Sequence, residues 1–158
     1  MRYFVLLREQ WVPQPPEEVF PFFAEAANLE ALTPPWLRFR ILTPLPIRMG
    51  PGVRIEYRLR LRGLPLRWVA EIRVWEPPHK FVDVQLRGPY RFWIHSHRFI
   101  PERGGTRIVD VVRYALPGGI LGRWVHRWLV RKDVEKIFRY RAQRIRLRFG
   151  LLRRIQYR

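Results

Sequence analysis

The chain has 158 residues, 47% hydrophobic and 15% aromatic, which fits one domain able to close a single core and excludes a disordered chain. Its net charge is +18, with Arg supplying all but three of the 31 basic residues; the absence of cysteine excludes disulfides, thiolate metal sites and a cysteine nucleophile. No apolar run approaches the ~20 residues of a membrane span, and the opening MRYFVLLREQW has only a five-residue apolar run before Arg8, too short for a signal peptide, so a cytoplasmic protein is expected.

RYFVLLREQWV (2–12) predicts a strand. QPPEEVFPFFAEAANLEAL (14–32) opens with prolines and acidic residues, both favourable in a first helical turn. Val19, Phe22, Phe23 and Ala26 then recur at helical spacing. Pro21 predicts a short or broken helix, followed by a second short one over Asn28–Leu32. TPPW (33–36) ends it, because a residue before proline is pushed out of the α region.

From Leu37 the period changes to two. In VRIEYRLRLR (53–62), Val53, Ile55, Tyr57, Leu59 and Leu61 share one face and five charged residues share the other, the pattern of a half-buried antiparallel strand. After the turn GLP (63–65), Leu66, Trp68, Ala70, Ile72 and Val74 continue the inner face. EPPHK (76–80) leads into FVDVQLRGPYRFWIHSHRF (81–99), two strands about a Gly-Pro turn, and ERGGT (102–106) into the strand RIVDVVRYAL (107–116).

PGG (117–119) breaks the sheet, and residues 120–149 read as one long helix. Its expected apolar stripe is Leu121, Trp124, Trp128, Arg131, Glu135, Phe138, Ala142, Ile145 and Phe149, in steps of three and four, with a strongly basic back. Gly118, Gly119 and Gly122 read as a strand-to-helix turn, or as a flexible lip. No role is expected for the tail LLRRIQYR, and no phosphate-loop pattern occurs.

This order of elements resembles the START/Bet v 1-like (SRPBCC) helix-grip superfamily. EEVFPFFAEAANLEALTPPWL, FVDVQLRGPYRFWIHSHRF, LPGGILG and IFRYR look like its bacterial polyketide cyclase/dehydrase and coenzyme-Q-binding-type members, over roughly residues 5–145. The resemblance implies an α+β helix-grip fold over residues 1–158. A curved antiparallel sheet of about seven strands would wrap a long C-terminal helix, with two short helices after strand 1. It also implies a hydrophobic ligand between sheet and helix, without naming a reaction. Some members cyclise or dehydrate aromatic polyketides, others carry quinones or lipids, and one branch associates with ribosomes.

The hairpin 81–99 poses the functional question. One register turns Trp93, His95, His97 and Phe99 inward with Asp83 and Gln85; the other turns in Val82, Val84, Phe92 and Ile94. The first is preferred, since the second would bury Arg98, which is costlier than a neutral His. On the next strand Ile108, Asp110, Val112 and Tyr114 then face in.

Three chemistries fit this polar inner set. His95 and His97, two apart on a strand, could share an ion with Asp83 or Asp110, but no metal-ligand motif is present and the resembling families are metal-free, so no metal and no cofactor are expected. His95 or His97 beside Asp83 or Asp110 could move protons in a cyclisation or dehydration. Or the groups satisfy one another and orient an otherwise apolar ligand, which is the favoured reading; a purely structural network remains a fourth.

In the favoured reading Tyr57, Trp68, Trp93, Phe99, Trp124, Trp128 and Phe138 form the wall of a cavity of at least ~300 Å³. His95, His97, Asp83, Gln85 and Asp110 orient the ligand's oxygens, with Tyr114, Arg131 and Glu135 also facing it. Arg131 and Glu135 could equally be a simple i,i+4 ion pair. Positive charge on both the Arg ladder of 54–62 and the back of the helix is too dispersed for sequence-specific DNA or RNA recognition, leaving weak, salt-sensitive contact with RNA or an anionic membrane.

Overall fold

Strict alternation along residues 54–61 gives the sheet one apolar and one charged face: Ile55 and Leu59 are buried, whereas Arg54, Arg58 and Arg60 are exposed. The computed structural model describes residues 2–150; Met1 and the tail 151–158 lie outside the described residues. Its strands are β1 (Phe4–Val12), β2 (Arg40–Ile41), β3 (Arg54–Leu61), β4 (Leu64–Glu76), β5 (Lys80–Arg87), β6 (Phe92–Glu102) and β7 (Gly105–Ala115). They form one antiparallel sheet in the order β1-β7-β6-β5-β4-β3-β2. With a long C-terminal helix and short helices after β1, this is the α+β helix-grip architecture.

The short helices are α1 (Pro16–Ala24) and α2 (Asn28–Leu32). Helix α1 is short, yet it continues through Pro21, which lies exposed on its outer side. Val19, Phe20 and Phe23 turn inward instead and pack with Phe81, Phe99, Ile108, Ile145 and Phe149 into the main core. That burial outweighs the one helical hydrogen bond a proline removes.

Two expected patterns are corrected by local backbone irregularity. The β4–β5 register shifts between Ile72 and Val74, so Trp75, and not Val74, joins the inner face, 5.2 Å from Phe20 and 5.7 Å from Phe81 by ring centroids. The C-terminal helix comprises α3 (Gly119–Val125), a wide π turn at His126–Val130, α4 (Arg131–Ile145) and a second wide turn at Arg146–Gly150. A π turn holds more residues than an α turn and rotates everything before it. The buried stripe is therefore Gly122, His126, Val134, Phe138, Arg141, Ile145 and Phe149, while Leu121, Trp124, Trp128 and Arg131 face outward. Only Phe138, Ile145 and Phe149 of the expected stripe are buried.

Polar clasps hold the helix to the sheet. The side-chain amides of Gln10 and Gln14 donate to the carbonyls of Ala142 and Phe149, each at 2.8 Å. At the other end Arg62 donates two hydrogen bonds to Asp133, at 2.8 and 2.9 Å. Gly122 starts the helix against the chain before it: a Cβ there would lie 2.4 Å from the Pro117 carbonyl oxygen.

Candidate functional site

The inner face of β3–β6, helices α1 and α2 and the middle of α4 line a half-open cavity of about 200 Å³. Its wall combines aliphatic side chains with the rings of Phe23, Phe39, Tyr57, Trp68, Tyr90, Trp93 and Phe138. It is smaller than the expected ~300 Å³, because those rings pack on one another. Trp68 lies 5.5 Å from Trp93 and 5.6 Å from Tyr90, and Tyr57 stacks on Trp68 at 5.9 Å. A cavity of ~150 Å³ already admits benzene, so this one suits a ligand of one or two rings.

At one end the apolar wall gives way to charge. The hairpin adopts the register that turns Trp93, His95, His97 and Phe99 inward and leaves Arg98 exposed. In the ladder Asp83 stands opposite His95, and His97 opposite Asp110. The side chains cross this register: His97 Nε2 bonds Asp83 Oδ2 at 2.8 Å, and His95 Nε2 bonds Asp110 Oδ1 at 3.0 Å. His97 Nδ1 also lies 3.0 Å from Asp110 Oδ1, an ionic contact whose angle falls short of a hydrogen bond. Arg141 approaches Asp110 Oδ2 with Nε at 3.8 Å and sets its guanidinium 5.4 Å above the Phe23 ring.

The cluster separates the protonation states of its two imidazoles. Burial and the charge of His97 push His95 down, more than Asp110 and Asp83 pull it up. Burial opposes charge on His97 too, but contacts with Asp110 and Asp83 outweigh it and hold this ring above the usual histidine value. Burial would raise both carboxyls as well; His97, His95 and Arg141 keep Asp83 below its ordinary value, and Arg141 with both imidazoles keeps Asp110 well below. The favoured state is an imidazolium at His97 between two carboxylates, beside a neutral His95. His95 then donates from Nε2 and keeps Nδ1 as an acceptor, with no hydrogen-bond partner among the described residues, on a ring that lines the cavity. Burial and Asp83 hold the Tyr57 hydroxyl well above its usual value, so it stays protonated.

Asp83, His95 and His97 also bring one ligand atom each within 4.8 Å of one another, close enough to share a divalent ion. Those donors are spent on each other and on Asp110, and the Arg141 guanidinium adds positive charge beside them. A self-neutralising proton network fits this donor set better than a cation does.

Of the residues singled out in the sequence, Tyr57, Trp68, Asp83, Trp93, His95, His97 and Phe138 line the cavity, and Asp110 braces both imidazoles from behind. The others stand elsewhere. Gln85 donates to the Tyr90 carbonyl and accepts from the Tyr90 amide, bracing the β5–β6 turn. Phe99 is fully buried in the main core. Tyr114 hydrogen-bonds His126 at 2.8 Å, against the far end of the helix. Trp124 and Trp128 are each 58% exposed and form no part of the wall. Arg131 and Glu135 make the i,i+4 ion pair, at 3.1 Å, outside this cavity.

Sequence reasoning missed Arg141, Tyr90 and the α1–α2 lid residues Phe22, Phe23, Leu29 and Leu32. Arg141 stands three after Phe138 and four before Ile145, the same spacing rule that selected Ala142. That spacing could have found it.

A family model described as polyketide cyclase/dehydrase and lipid transport matches residues 8–150. No curated protein matches the chain. Similar solved structures include protein TTHA0849 of Thermus thermophilus, 24% identical with a TM-score of 0.62, covering 90% of this chain and 97% of that one. Protein Ms6760 of Mycobacterium smegmatis is 18% identical, with a TM-score of 0.64 over 89% and 87%. Major latex-like protein 151 of Panax ginseng is 8% identical, with a TM-score of 0.63 over 93% and 97%. At these identities the structures share the fold with this chain.

Proposed function

Since the chain belongs to the polyketide cyclase/dehydrase and lipid transport family, we propose that it binds a flat hydrophobic molecule of one or two rings in the cavity between sheet and helix. The observation that carries this is a ring-bearing hollow between sheet and helix with a polar end, where His95 Nδ1 and the Tyr57 hydroxyl have no hydrogen-bond partner among the described residues and offer an acceptor and a donor. Apolar walls supply affinity, and a few oriented polar groups fix the pose. Trp68 and Trp93 line the hollow, so occupancy should change the intrinsic fluorescence. Titration with 2-naphthylmethanol tests it: saturable one-to-one binding is expected, and Ala70→Leu, which fills the hollow, should abolish it.

A second reading is favoured by one observation, the neutral His95 beside Asp110 with its free nitrogen on the cavity. In this reading His95 accepts a proton from an acidic C–H of a bound polyketide-like substrate, as a general base in cyclisation or dehydration. Replacing His95 by Asn would then remove turnover while leaving substrate binding within a few-fold. In either reading the protein works in the cytoplasm without metal or cofactor, and contact with RNA is weak and salt-sensitive.

A further inference from the structure

We infer that the cavity's ligand carries a carboxylate and that Arg141 is its anchor. This rests on the ligand-binding reading above and goes beyond it by naming the group recognised. Arg141 is 8% exposed and lines the cavity, yet it makes no hydrogen bond to any described residue. Its Nε is fully enclosed with no hydrogen-bond partner, and the nearest carboxylate among the described residues, that of Asp110, stands 3.8 Å away and already receives His95. A buried guanidinium with its donors unspent is costly, since each unmade bond forfeits the water it displaced. Bulk water or a structural carboxylate would normally meet that cost. Here the cavity itself is the remaining direction, and a planar carboxylate matches the guanidinium fork. Phe23 lies beneath the cation, with its ring centroid 5.4 Å from Cζ.

The test compares two probes of one shape at neutral pH, 2-naphthoate and 2-naphthylmethanol, by the same fluorescence titration. The carboxylate should bind ~10-fold tighter or more, the range for a hydrogen bond to a charged group. Arg141→Gln should abolish that preference while keeping the alcohol's affinity, and Arg141→Lys should retain part of it. Equal binding of the two probes by the native protein would overturn the inference and leave the cavity reading standing. So would an unchanged preference in Arg141→Gln. Binding of neither probe would overturn the cavity reading and this inference with it.

A separate observation supports a surface site. Along Gly119–Leu129 only Gly122 and His126 are buried; Ile120, Leu121, Trp124, Val125, Trp128 and Leu129 all face solvent, from 41% to 72% exposed. Exposed Arg123, Arg127, Arg131 and Lys132 flank them on a chain of net charge +18. Large apolar side chains and tryptophans ringed by arginines match the interfacial zone of an anionic bilayer. We propose that this helical face docks on anionic lipid. Co-sedimentation should show binding to vesicles containing phosphatidylglycerol and little to phosphatidylcholine alone, with a roughly tenfold or greater loss in Trp124→Ser/Trp128→Ser, from the lost apolar burial. Unchanged binding by the variant, no binding by the native chain, or a dimer in solution that this variant dissociates would each overturn the proposal.

Discussion

His97 stands directly opposite Asp110 in the β6–β7 ladder, and its Nδ1 lies 3.0 Å from the aspartate's Oδ1. The same carboxylate accepts from the neutral His95 and faces Arg141 at 3.8 Å, so one buried aspartate holds the negative charge beside two cations. Removing it leaves an uncompensated positive cluster inside the fold. Asp110→Asn is expected to cost about 3–5 kcal/mol of stability, read as a lower denaturant midpoint. A loss below ~1 kcal/mol, the level of an exposed pair, would show that the cluster is solvated.

The two imidazoles are shifted in opposite directions from the ordinary histidine value. Because the folded value of His97 is raised, its contribution is complete below the unfolded value of ~6.5 and disappears as pH rises through the folded one. The folded value of His95 is lowered, so its contribution is present above ~6.5 and disappears as pH falls through the folded one. Nitrogen NMR of the imidazoles should therefore find His97 titrating at higher pH than His95. Unfolding of His97→Asn and native protein should show the native advantage shrinking above neutrality. The reverse order of titration would contradict the protonation states assigned above.

Asp83 and Asp110 have lowered folded values, so their contributions are present above the unfolded carboxyl value of ~3.9 and are lost as pH falls through the folded ones. Acid unfolding should accordingly set in at lower pH for the native protein than for Asp83→Asn, followed by circular dichroism.

Tryptophans on and off the cavity wall should behave differently. Trp68 is 7% exposed and packs against Tyr57, Tyr90 and Trp93, so Trp68→Ala should cost about 3–5 kcal/mol. Trp124→Ala, at an exposed position, should stay within ~0.5 kcal/mol. Chemical denaturation of both variants measures the contrast.

The sheet was legible because its signal is local. Alternation in 53–62 and 66–74 and the cost of burying Arg98 placed Tyr57, Trp68, Trp93, His95 and His97 on the correct face. The helix was legible as an element but not in its rotation. A π turn at His126–Val130 leaves no mark in apolar spacing, and Trp124 and Trp128 imitate a core stripe while facing solvent. Arg141 was obscured for a different reason: its spacing from Phe138 and Ile145 fits the buried stripe, but a charged residue is normally assigned outward. The α1–α2 wall depends on tertiary packing of Phe23 and Leu32, which no local period encodes.

Native mass spectrometry of the purified protein, followed by extraction of whatever it carries, tests the central claim most directly. One equivalent of a flat, ring-bearing acid is expected, absent from Ala70→Leu and depleted in Arg141→Gln. A bare protein mass, together with no saturable fluorescence change for either naphthyl probe, would contradict it.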